Sequence, residues 1–224
     1  MKAMVGPDTM RTQIINRPRQ AFTLIGLIAI VVIVLLVAVL LPILIRTRAK
    51  SQRAQCVENL KQIGLSFRAW AGGSGDRYSV RTSTNDWGTL EYAETTETFR
   101  HFQVLSNELR SPQVLVCPTD SLRRPAKSFA AGFSTSNVSY FVGVDADEPL
   151  PEALLSGDRN ITNGLPFQNQ LMILTTNNPG VWRAGIHGKG QGNLGLSDGS
   201  VQLMDNAALQ RQIKTAGQSR LALP

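Results

Sequence analysis

Phe22-Thr23-Leu24-Ile25-Gly26-Leu27-Ile28-Ala29-Ile30-Val31-Val32-Ile33-Val34-Leu35-Leu36-Val37-Ala38-Val39-Leu40-Leu41-Pro42-Ile43-Leu44-Ile45 is the stretch on which the fold turns. Its 24 residues carry no charge, and 19 of them are Leu, Ile, Val or Phe. Wound as a helix, they would span about 36 Å, against about 30 Å of bilayer hydrocarbon. Those apolar side chains favour insertion by at most about 6 to 11 kcal/mol, because residues near the helix ends contribute less than central ones. A core helix of a water-soluble domain rarely lacks a polar face over so many turns. This one has none, and residues 22–45 read as a transmembrane helix. Pro42 removes the bond to the carbonyl of Ala38, and the small Ala38 side chain leaves room for a kink rather than a break.

Outward from this segment both flanks are basic. Residues 1–21 hold Lys2, Arg11, Arg17 and Arg19 against Asp8 alone, a net +3 out of the +7 carried by all 224 residues. On the other side Arg46, Arg48, Lys50 and Arg53 sit where lipid headgroups would lie. Nucleic-acid binding calls for a basic patch interleaved with aromatics, which this chain lacks, so no nucleic-acid partner is expected. Because both flanks are basic, the positive-inside count leaves orientation open. With 42% apolar and 17% charged residues, the rest of the chain has enough apolar material to fold.

A secretory signal has a shorter apolar stretch and a small-residue cleavage site after it. Here the distinctive feature comes before it, where Arg17-Pro18-Arg19-Gln20-Ala21 runs straight into Phe22-Thr23-Leu24-Ile25. This resembles the class III leader of type IV pilins and of the pseudopilins of type II secretion systems. The resemblance implies that a prepilin peptidase removes residues 1–21, cutting between Ala21 and Phe22, and then N-methylates Phe22. It departs at two places: Ala21 stands where the family usually has Gly, and Gly26 where it has an assembly Glu. Asn59-Leu60-Lys61-Gln62-Ile63-Gly64 after Cys56, and His187-Gly188 followed by Asp198-Gly199-Ser200, are similar to segments of pseudopilin-like proteins of Verrucomicrobia and Planctomycetes. The likeness covers residues 17–71 and, more loosely, 113–204.

The fold expected is α+β: a long N-terminal helix, half transmembrane and half amphipathic, packed on a small antiparallel sheet in a pilin-like head. The segments are a leader at 1–21, the membrane helix at 22–45, its amphipathic continuation at 46–72 and an exported head at 73–224. In the continuation, Cys56, Leu60, Ile63, Phe67 and Trp70 recur every three or four residues, a stripe for packing on the protein's own sheet. Ala71-Gly72-Gly73-Ser74-Gly75 ends the helix. Strands are expected at Val114–Cys117, Asn137–Gly143 and Leu171–Leu174. A hairpin is expected across Asn193–Met204 around Asp198-Gly199, and a helix capped by Asp205 or Asn206 through Ile213.

Chemistry is sparse. Two histidines, His101 and His187, and two cysteines occur at no recognised zinc spacing. The first glycine of a phosphate-binding loop ending at Lys189 would fall at Arg183, and no Ser or Thr follows that lysine. Asp145, Asp147, Asp158 and Asp198 are the only calcium candidates, since major pseudopilins carry calcium in terminal loops, but they lack EF-hand spacing. His187 with Asp198 as an acid–base pair has no identifiable nucleophile. An exported domain with two cysteines points to a Cys56–Cys117 disulfide, worth about 4 kcal/mol for a loop of this length; otherwise Cys56 is a small apolar member of the stripe.

The reading expected from the resemblance is a structural subunit, not an enzyme, without a cofactor. It would sit as a single-pass protein of the bacterial inner membrane with its head in the periplasm or exported. Its partners would be other pilin or pseudopilin subunits, the prepilin peptidase, the inner-membrane assembly platform and membrane lipid. The alternative is a membrane-tethered exported binding module or enzyme that does not join filaments.

Overall fold

The computed structural model describes residues 24–188 and 190–224, so the expected cleavage pair Ala21 and Phe22 lies outside the described residues. Helix α1 runs Leu24–Gly72, 49 residues, and passes through Pro42. The chain divides into two compact units at Arg46/Thr47. In the N-terminal unit every large apolar side chain from Leu24 to Ile45 is exposed, from 45% at Ile30 to 79% at Ile25. Among the described residues this is the one helix long and apolar enough to cross a membrane.

The second unit has its own core. Within it, α1 buries the expected stripe, with Cys56, Leu60, Ile63 and Phe67 at 0–1% exposure and Trp70 at 9%. After α1 the chain forms short helices, α2 (Phe99–Gln103) and α3 (Ser106–Leu109), among single 3₁₀ turns. The strands are β1 (Tyr140–Gly143), β2 (Leu154–Asp158), β3 (Ile161–Thr162), β4 (Leu171–Leu174), β5 (Val181–Trp182), β6 (Gln191–Leu196), β7 (Val201–Asp205) and β8 (Ser219–Ala222), with helix α4 (Asn206–Ala216) between the last two. Six strands pair antiparallel in the order β4-β8-β1-β2-β6-β7, and β3 pairs separately with β5. The fold is α+β.

Both faces of this sheet are covered, so β1 is buried at every position rather than alternating with water. Tyr140, Val142 and Leu155 join the α1 stripe in one core. Phe141, Leu154, Leu194 and Leu221 meet Leu209 and Ile213 of α4 and Trp182 of β5 in the other. Glycine is required where Trp182 packs on β6, because a Cβ at Gly192 would overlap the indole ring.

The hairpin around Asp198-Gly199 forms as β6–β7, and Gly199 takes a positive φ of 85°. Asp205 caps α4, its Oδ1 accepting from the Ala208 N–H at 2.7 Å, and the helix runs beyond Ile213 to Ala216. Asn206 instead accepts from the Trp182 N–H at 2.8 Å. One expected strand is absent. Pro112 to Leu115 is a 3₁₀ turn opened by Ser111, whose Oγ accepts from the Gln113 N–H, and the Ser-Pro start overrides the apolar run Val114–Cys117. The strand expected from Asn137 begins only at Tyr140, because Thr135–Asn137 is another 3₁₀ turn closed by a Ser134–Asn137 capping box.

Candidate functional site

The richest polar cluster is buried where α1 meets the ends of β2 and β6. Cys56 on α1 and Cys117, just past the 3₁₀ turn, are joined in a disulfide with Cα atoms 5.2 Å apart. Three-dimensional placement then adds what linear spacing hides. His187 Nε2 lies 3.5 Å from Cys117 Sγ and 3.3 Å from Asp158 Oδ2. Asp158 closes β2 with its side chain fully buried, and Oδ2 accepts from the Asn193 N–H on the neighbouring β6 at 2.6 Å. Arg53 on α1 donates from Nη2 to the His187 carbonyl at 3.0 Å, fixing the loop that carries the imidazole. A turn further along α1, Asn59 Nδ2 donates to the Val116 carbonyl and to the Tyr140 hydroxyl, at 3.2 and 3.3 Å. Burial, reinforced by the charge of Asp158, raises the Tyr140 phenol above its ordinary range, so it stays a neutral hydrogen-bonding group.

The expected acid–base pairing is therefore corrected. His187 meets Asp158, not Asp198, because pairing of β2 with β6 carries Asp158 to its side. Asp198 instead accepts from the Ser200 N–H at 2.8 Å and shapes its own turn. The other two calcium candidates are also committed elsewhere. Asp145 holds Arg220 in a fork at 2.6 and 3.0 Å and accepts its backbone N–H at 2.9 Å. Asp147 accepts from the N–H groups of Tyr78 and Glu148, at 3.0 and 3.1 Å. The four carboxylates are committed to different partners and, among the described residues, do not form one ligand set. Among the described residues, the group of three His, Cys or carboxylate donors close enough for one ion is Cys56, Cys117 and His187, all buried and within 4.8 Å of one another.

His101 has a separate and simpler role. Its ring is fully buried, with Nδ1 2.8 Å from Thr89 Oγ1, and burial pulls its pKa down to about 4. It is a neutral core histidine.

A second feature is a cleft of about 760 Å³ between the end of β2, the β3–β5 pair and the C-terminus, lined by Asp120, Arg159, Asn160, Arg183 and Phe167 among others. Arg159 forks onto Asp120 at 2.7 and 2.8 Å. Burial alone would raise the Asp120 carboxyl, but the hydrogen bonds and charge of Arg159 bring it below its usual value. Sequence reasoning passed over this pair because the partners lie 39 residues apart. The signal present was an acid placed two residues after Pro118 in a turn.

Gly26 lies in the first turn of α1 and is half-exposed. Comparison with family models, with curated proteins and with solved structures finds no match for this chain.

Proposed function

We propose that this chain is a structural, pseudopilin-like subunit of a type II secretion or type IV pilus-like filament, processed by a prepilin peptidase. The observation that carries the reading is the charge-free half of α1, apolar around its whole circumference with every large apolar side chain exposed, preceded in sequence by a basic segment that ends Arg17-Pro18-Arg19-Gln20-Ala21. Leu24–Ile45 is about 33 Å long, enough to cross the hydrocarbon. Its side chains are to be covered by lipid before assembly and by neighbouring apolar helices after it, and Gly26 permits close helix approach. The compact disulfide-linked head is what the helix carries out of the membrane. In this reading the protein is a single-pass inner-membrane protein of a bacterium, its head in the periplasm or exported, and it performs no catalysis. The force for extraction comes from a separate assembly platform.

The missing carboxylate refines the role. A Glu at the fifth mature position would attract the free amine of an adjacent subunit, and such a charge is tolerated in a membrane only when paired. With Gly26 there, the chain serves as a minor or initiating subunit among Glu-bearing partners. The same glycine also favours a second reading, a membrane-tethered binding module that uses the cleft at Asp120–Arg159 and joins no filament.

Mass spectrometry of the protein extracted from membranes of cells holding the peptidase tests the processing step. The expected product begins at Phe22 and carries one N-methyl group. An intact Met1, or a cut beyond Ile45, would refute the reading.

A further inference from the structure

We propose that, with its two cysteines reduced, the head binds one Zn²⁺ through Cys56 Sγ, Cys117 Sγ and His187 Nε2, and that closing the disulfide expels the ion. The three donors already lie within 4.8 Å of one another. In a tetrahedral zinc site, bonds of about 2.0–2.3 Å place neighbouring donors about 3.5 Å apart. Cys117 Sγ and His187 Nε2 stand at 3.5 Å. Thiolate and imidazole are the ligand types that select zinc over calcium or magnesium.

The surroundings point the same way. Cys56 and Cys117 are 0% exposed and His187 is 1% exposed, so the three donors are buried together. Two polar atoms at its edge, Asp158 Oδ1 and His187 Nδ1, are buried without a hydrogen-bond partner among the described residues. Such atoms are rare in folded proteins and call for an explanation. Asp158 Oδ2 lies 3.3 Å from His187 Nε2, beside the group of three donors and outside it. The donors are also firmly held: α1 supplies Cys56, and Arg53 anchors the His187 backbone.

The chemistry balances simply. On binding, both thiols release their protons to solvent and two thiolates neutralise the dication. Oxidation removes two electrons from those thiolates to the disulfide of an oxidising thiol protein, which leaves as a dithiol after taking up two protons. The sulfur–sulfur bond forms as both zinc–sulfur bonds break, and Zn²⁺ departs.

The test uses the detergent-extracted full chain, reduced anaerobically with a phosphine in water, which becomes the phosphine oxide. Titration with Co²⁺, followed by displacement with Zn²⁺, should show one metal per chain with thiolate-to-cobalt charge transfer. The unreduced protein should show none. His187→Ala should weaken affinity roughly tenfold or more, while Asp198→Ala should leave it unchanged. Because His187→Ala removes a buried side chain, zinc-edge X-ray absorption of the reduced unmodified protein provides a second readout. A first shell with two sulfurs and an imidazole nitrogen is expected. A shell of oxygen and nitrogen alone, or no more metal on the reduced chain than on the disulfide form, would overturn the proposal. If reduction unfolds the head, Zn²⁺ must restore its circular dichroism, and failure to do so would overturn it too.

Discussion

The two halves of α1 obey different rules. From Leu24 to Ile45 no side chain is charged and every large apolar one is exposed; from Cys56 to Trp70 the apolar residues form a stripe that is buried almost completely. The first half is written as composition: any rotation about its axis presents the same surface, which suits lipid or a ring of neighbouring helices. The second half is written as period, and turning it by a third of a turn would put Phe67 in water and Arg68 in the core. One half is therefore tolerant of apolar exchange and intolerant of charge anywhere. The other is tolerant of charge on its outer face and intolerant of a single methylene lost on its inner one.

That contrast can be broken most forcefully in the head. Phe67 is fully buried and packs against Tyr78 at a ring separation of 5.7 Å. Phe67→Ala should destabilise the head by about 3–5 kcal/mol in denaturant melts of the detergent-extracted chain, with its membrane fraction unchanged. Val34→Lys is the reciprocal experiment, costing insertion about 2.5–3.5 kcal/mol at a central helix position. Carbonate extraction should release a larger share of this variant than of the unmodified chain, while the head keeps its unfolding midpoint. Equal effects of both changes on both readouts would mean that the two halves are not energetically distinct.

The head should also respond to acid where the apolar half cannot. His101 has a folded pKa of about 4, below the ordinary value of 6.5, because burial disfavours its charged form. The unfolded chain therefore binds the proton more readily, and stability falls as pH drops from about 6.5 towards 4. Between pH 7 and pH 5 this one group should contribute a loss of about 2 kcal/mol. His101→Gln should remove that part of the slope in paired melts at the two pH values. A smaller effect sharpens the view of the sheet's outer layer. Asp205→Ala deletes the cap of α4 and should cost about 1 kcal/mol, with Asp205→Asn nearly neutral.

How much of this was legible follows from the same physics. The apolar half of α1 needed only composition, and the buried stripe only a 3.6-residue period. The β6–β7 hairpin announced itself through Asp198-Gly199, and Leu171–Leu174 through an uninterrupted apolar run. The Val114–Cys117 segment misled because β-propensity there competes with a Ser-Pro turn start, a local bond that short apolar runs do not reveal. Helices α2 and α3, five and four residues long, are too short to show any period. The cysteine pair was legible from its even count, but the company it keeps was not. Asp158 and His187 are 29 positions apart in sequence and meet only because β2 lies beside β6. Gly192, the floor on which the Trp182 indole rests, is likewise fixed by a contact between strands that no local pattern reveals.

The central claim is that the exposed apolar half of α1 is a surface for other pilin-like helices and not merely an anchor in lipid. Its most direct test is photo-crosslinking from Leu35 in cells that hold the prepilin peptidase, the assembly platform and Glu-bearing pilin partners, beside a Gly26→Glu variant expressed without those partners. The account predicts Leu35 adducts with the partner subunits, few self-adducts from the unmodified chain alone, and more self-adducts once Gly26 is replaced by Glu. Adducts with lipid only, in every combination, would contradict it and leave a tethered head that joins no filament.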